Sequence, residues 1–169
     1  MRTVVGAVAV AAFLAAFAGI AAAADEDNPA ALAKALPQAT VSLQKGLQAA
    51  AREGTPISAK FEIEDGVLQL SVYTTKGGAV REIIVDHKTG SIKKAANITD
   101  AGDLADAKGQ RQAIAKAKLT LETAVANATK ANSGYRAVSI VPALAAGVPM
   151  AAITLMKGAN IKKVDAPLD

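Results

Sequence analysis

Between Lys60 and Lys94 the chain alternates apolar and polar residues with a period of two, and the alternation breaks where glycine-bearing turns appear. That period belongs to strands with one buried face. Ala59, Phe61 and Ile63 alternate with Lys60, Glu62 and Glu64. Asp65-Gly66 follows, and both of its residues tolerate the positive φ of a tight hairpin turn. A two-residue turn there pairs Glu64 with Val67, Ile63 with Leu68, Phe61 with Leu70 and Ala59 with Val72. The apolar face of one strand then meets the apolar face of the next, as register demands. Gly77-Gly78 makes a second turn, which sets Val72 opposite Ile83 and Leu70 opposite Val85. Asp86-His87-Lys88-Thr89-Gly90 closes the third strand, Asp favouring the turn entry and Gly its exit. Ile92 returns opposite Val85. The stretch therefore predicts a four-stranded antiparallel meander with one apolar face.

A cover for that face precedes it. Thr40 or Ser42 can cap a helix whose Leu43, Leu47, Ala50 and Ala51 share one stripe. Gly54 and Pro56 end it. A related pattern recurs downstream. Ser42-Leu43 matches Thr120-Leu121 and Leu47 matches Val125 at a spacing of 78, and Gly66-Val67 matches Gly147-Val148 at a spacing of 81. The three-residue difference is assigned to a longer hairpin loop, Pro142 to Gly147. The second unit is then a helix followed by strands over Tyr135 to Val141, Val148 to Met156 and Ala159 to Asp165. The fold class expected is α+β: two repeats of a helix packed on an antiparallel β-meander, as two subdomains or as one continuous sheet.

The expected divisions are a signal peptide over 1–24, an N-terminal segment over 25–39, unit one over 40–98, a helical linker over 99–118 and unit two over 119–169. Met1-Arg2-Thr3 is a basic start, Val4 to Ile20 is uncharged, and Ala22-Ala23-Ala24 fits a cleavage site. The linker, alanine- and charge-rich, is interrupted by Gly109. Export to the periplasm or beyond, with no stable membrane anchor after cleavage, is the reading. The chain has no cysteine, which excludes a lipoprotein anchor, thiolate zinc sites and thiol nucleophiles. Net charge is +4 and aromatics are 3%; without stacking platforms or basic runs, nucleic-acid binding is not expected.

A helix followed by a meander that closes in Val-Asp-x-x-Thr-Gly resembles the PepSY domain. The matching residues are Ser71-Val72-Tyr73, then Glu82 through Ile92 with Val85, Asp86, Thr89 and Gly90 as the motif turn. The second unit is similar through Thr120 to Ala124, Gly134 to Ala137 and Val148 to Lys157, and it lacks the closing motif. The resemblance implies a cystatin-like or PepSY-like layer, an exported bacterial protein, and non-catalytic modulation or inhibition of a peptidase in trans. No His-Glu-x-x-His is present, so the chain is not itself a proenzyme.

Candidate chemistry is sparse. His87 is the only histidine, and it is read as a solvated turn residue. Glu62, Glu64 and Asp65 form an acidic edge, and Lys93-Lys94 with Lys162-Lys163 lie at strand ends. No nucleophile–base pair, metal set or cofactor motif assembles, so neither an enzyme nor a cofactor is expected. Tyr73 is placed beside Glu82 on the sheet face away from the helix, either as an amphipathic cross-strand contact or as an aromatic anchor on an open face that docks a partner, with Tyr135 as its candidate counterpart. The expected function is a non-catalytic cell-envelope protein that binds a protein or peptide partner, a peptidase being the candidate. A small-molecule or metal-ion binding protein of the periplasm is the alternative, and a homodimer is left open.

Overall fold

In the computed structural model residues 28–169 are described; the expected leader lies outside them. Asn28 caps α1 (Pro29–Ala35), its side chain accepting from the Ala31 N–H. A 3-10 turn, Leu36–Gln38, follows. Ser42 caps α2 (Leu43–Ala50). Four strands come next: β1 (Thr55–Glu64), β2 (Val67–Lys76), β3 (Ala79–Val85) and β4 (Ile92–Asn97). Then come α3 (Ala101–Lys116), α4 (Leu121–Ala131), β5 (Arg136–Ala145), β6 (Val148–Lys157) and β7 (Asn160–Pro167).

All seven strands form one antiparallel sheet in the order β4-β3-β2-β1-β5-β6-β7. Phe61 faces Leu70, and Ala59 faces Val72. Val72 faces Ile83, and Val85 faces Ile92. Asp65 and Gly66 hold φ of 48° and 76°, the left-handed pair that a two-residue hairpin with matched twist requires.

The meanders meet at the centre of the sheet, where Ala59 pairs with Ile140 and Lys60 with Ser139. Ala59 and Ile140 are themselves 81 positions apart. The bulges correspond as well. β1 shifts register between Pro56 and Ser58, and β5 between Ala137 and Ser139, leaving Ile57 and Val138 as the extra residues at the same spacing.

Two local expectations are corrected. The β5–β6 connection is not a longer loop. Ala145 pairs with Val148, and Ala146-Gly147 turns the chain at φ of 49° and 85°, matching Asp65-Gly66. Pro142 lies inside β5, paired with Ala151, beyond the point where β5 leaves the β1 ladder; there its missing N–H costs nothing. The three additional residues sit in the helix instead, since α2 has 8 residues and α4 has 11. The stretch read as a linker is one helix that runs unbroken through Gly109 and packs on the sheet.

The main core lies between α1, α2, α4 and one sheet face. It contains Leu43, Leu47, Phe61, Leu70, Val72, Ile83, Leu121, Val125, Ile140, Ile153 and Leu155. Gly46 lets α2 approach: a Cβ there would come within 2.6 Å of Leu70 Cδ2. The opposite face carries α3, which lies over β1, β5 and β6. A smaller cluster of Ile57, Val80 and Ala107 forms beneath it, with Tyr73, Ile98 and Ile114 packed against it.

Candidate functional site: the sheet face beside α3

Alternation along β1, β2 and β3 puts Lys60, Glu62, Gln69, Ser71, Tyr73 and Glu82 on the face that α3 shares. Tyr73 stands opposite Glu82 across the β2–β3 ladder. This face is not bare, as the sequence alone suggested. Tyr73 is half-buried against the small cluster under α3. Burial pushes its hydroxyl pKa well up, and the carboxylates of Glu82, Glu62 and Asp103 push the same way. The ring is fixed as a neutral phenol, flanked by negative charge.

Next to it runs a chain of polar contacts. Gln69 Nε2 donates to Ser71 Oγ at 3.0 Å, and Ser71 Oγ donates to Glu62 Oε1 at 2.6 Å. Lys60 Nζ pairs with the other Glu62 oxygen. Ser71 is fully buried, so this hydroxyl–carboxylate pair does not present a nucleophile to a substrate. Gln110 of α3 accepts from Ser58 Oγ at 2.8 Å, which pins the helix beside the strip.

Lys60 also belongs to a row that crosses the sheet from edge to edge. Lys94 faces Ile84, Ile84 faces Ser71 and Ser71 faces Lys60. Beyond the centre come Ser139, Thr154 and Lys163. Lysines therefore mark both margins and the middle, with Ile84 and three hydroxyls between them.

Tyr135 is elsewhere. It precedes β5 and packs half-buried against the main core, so the structure does not bring it together with Tyr73 and Glu82. The Asp86–Gly90 turn is a docking device. Asp86 Oδ1 accepts from the Lys88 and Thr89 N–H groups, each at 2.8 Å. Its other oxygen meets Lys93 Nζ at 2.9 Å. Lys93 first, then the two backbone donors, hold the Asp86 carboxyl well below the usual carboxylate range. Gly90 has φ of 78°, and Val85 enters the turn from the core. The Thr89 hydroxyl lies 2.8 Å from that of Ser91.

The carbonyl of His87 accepts from the N–H groups of both Thr40 and Val41 at 3.0 Å. His87 is thus a half-buried docking residue rather than a freely solvated one. Its Nδ1 is buried without a partner, and burial depresses its pKa.

Sequence reasoning missed Arg136. Its guanidinium donates to the carbonyls of Leu36 at 3.2 Å, Ala39 at 2.7 Å and Val41. It also lies 5.1 Å from the Phe61 ring centroid. The available signal was an arginine at the head of a strand whose only other polar residue is Ser139.

A shallow depression of about 600 Å³ opens near Arg52, Gly54, Thr75 and Lys76. Among the described residues no group of three His, Cys, Asp or Glu side chains could hold a metal ion, and no helix is long and apolar enough to cross a membrane. No family model matches the sequence, and neither a curated protein nor a solved structure is similar to it.

Proposed function

We propose that this chain is a non-catalytic, exported PepSY-like protein, a tandem duplication of a helix-and-meander unit, that binds a protein or peptide partner. A peptidase restrained in trans is the candidate target. The observation that carries the reading is the strip beside α3: a half-buried tyrosine between the carboxylates of Glu62 and Glu82, with Lys60 next to it. Interfaces are anchored by aromatic residues in partly desolvated surroundings with charged groups at the rim, and this strip has that composition. α3 roofs the strip only in part, leaving Tyr73 and Glu82 half-buried rather than enclosed. The corresponding bulges at Ile57 and Val138 support the duplication.

The test is affinity capture from a cell-envelope extract at physiological salt, followed by peptidase assays with and without added protein. The reading expects a discrete envelope protein to be retained and its peptidase activity to fall. Recovery of no envelope protein overturns it.

A further inference from the structure

β7 is a regular strand with one side unused. It pairs with β6 over eight residue pairs without a register shift, and among the described residues no strand lies beyond it in the sheet. By contrast β4, at the other margin, is interrupted by a register shift, and its Lys93 is held by Asp86. Bulges, lysines and prolines protect an edge from pairing; β7 has no bulge, its Lys162 is drawn aside to Asn132 Oδ1, and its Lys163 has Asp165 two residues on to match it.

The hairpin fixes which main-chain groups of β7 are free. Lys157 and Asn160 close a two-residue turn, so they form a hydrogen-bonded pair. Asn160, Lys162, Val164 and Ala166 then point their N–H and C=O groups at β6, and Ile161, Lys163 and Asp165 point theirs outward. The Leu168 N–H bonds the Pro149 carbonyl at 2.9 Å, in phase with that alternation. Pro167 falls in the outward series, where its missing N–H removes no bond to β6.

We propose that this edge pairs with the same edge of a second copy of the chain, antiparallel and centred on Val164. In that register Lys163 of each copy faces Asp165 of the other, giving two reciprocal opposite-charge pairs. Both residues belong to the outward series, so each pair also exchanges main-chain hydrogen bonds. Ile161, 39% exposed, meets Pro167 on the same face. On the other face Val164 meets its own copy, extending the apolar surface that Val164 and Ala166 already share with the core.

The adjacent registers are worse on charge or phase, and a pairing centred on Ala166 leaves Asp165 opposite Pro167 in place of a lysine. Centring on Lys162 or Lys163 sets a lysine against itself, and centring on Asp165 sets an aspartate against itself; directly opposed like charges are destabilising. Shifting by half a step sets outward groups against inward ones. One strand per copy buries less than the roughly 1,200–2,000 Å² of a stable interface, so association is concentration- and salt-dependent. The interface is distinct from the strip at Tyr73, and either can fail without the other.

The test is sedimentation of the purified protein across about 10 μM to 1 mM at low and high salt. The expected result is a monomer–dimer equilibrium that weakens as salt rises. Lys163→Asp and Asp165→Lys should each raise the dissociation constant about tenfold or more, and the double exchange should restore it. The chain has no cysteine, so Val164→Cys provides a register marker: mild oxidation should give a covalent dimer, because facing Cβ atoms in a non-hydrogen-bonded pair are about 4.5–5.5 Å apart. Asp165→Cys should not crosslink. A monomer at every concentration overturns the proposal. So does a dimer indifferent to both single exchanges, or crosslinking by Asp165→Cys in place of Val164→Cys.

Discussion

Replacing Arg136 isolates the contact that joins the N-terminal helices to the sheet. Its guanidinium supplies three hydrogen bonds to carbonyls between Leu36 and Val41 and lies over Phe61. No carboxylate neutralises it among the described ion pairs, and desolvation lowers its pKa. Two effects therefore oppose each other. Hydrogen bonds from a charged donor contribute about 1.5–3 kcal/mol each, and the stacked cation adds about 0.5–2 kcal/mol. Against this stands the cost of burying the charge, several kcal/mol for an ion taken out of water. The balance for Arg136→Met is a loss of about 2–4 kcal/mol, because three carbonyls lose their donor while the methionine stem keeps most of the packing. Arg136→Lys should lose about 1–2 kcal/mol, since an ammonium on a flexible stem cannot span the same three acceptors as a planar fork.

Urea denaturation gives the magnitude. Amide exchange gives the location: protection should fall in α1 and the Leu36–Gln38 turn before it falls in β1 and β2. Stability within about 0.5 kcal/mol of the parent for Arg136→Met, or a loss of protection spread evenly over the sheet, would refute the reasoning.

Further predictions concern single groups. Thr74 is fully buried with its hydroxyl unpartnered, so Thr74→Val should raise stability by about 1 kcal/mol in the same urea assay. Gly46→Ala adds a methyl that meets Leu70, itself fully buried; overpacking of about 1–3 kcal/mol should outweigh the helix preference of alanine, about 1 kcal/mol, and lower the melting temperature. The single histidine makes the pH prediction direct. The folded pKa of His87 is depressed, so the unfolded chain binds more protons below about 6.5 and stability falls as pH drops through that value. An NMR titration of His87 should give a pKa below that of a model imidazole; a value at or above it would contradict the buried docking role. Asp86→Asn keeps an acceptor for the turn N–H groups and removes the charge facing Lys93, so the variant should lose the part of the acid transition below about pH 4 that the depressed Asp86 carboxyl contributes.

The first meander was legible because its signals are local. A two-residue period, Asp65-Gly66 and Gly77-Gly78 together fix the register, and no distant partner is needed to read it. The later hairpin hid behind Ala146, which takes a positive φ of 49° with a residue type that carries no turn signal. Pro142 reinforced the wrong reading, because its tolerance depends on β5 having left the β1 ladder. α3 was seen as a helix but not as a cover. Its buried residues are alanines, Ala107 and Ala113, which bring a helix close without forming an apolar stripe. The consequence reached the candidate site: the face bearing Tyr73 looked open, and it is partly roofed. Arg136 was illegible for a different reason, since its acceptors lie 95 to 100 positions away in the chain. The missing information was tertiary throughout.

The proposed binding role rests on the strip at Tyr73, and paired capture experiments test it most directly. Wild-type protein and the Lys60→Glu and Glu82→Lys variants, each checked for an unchanged fold by circular dichroism, would be used as bait in the same envelope extract at physiological salt. The account predicts that wild type retains a discrete envelope protein and that both variants lose most of it. Equal recovery by all three baits, or recovery by none, would contradict it.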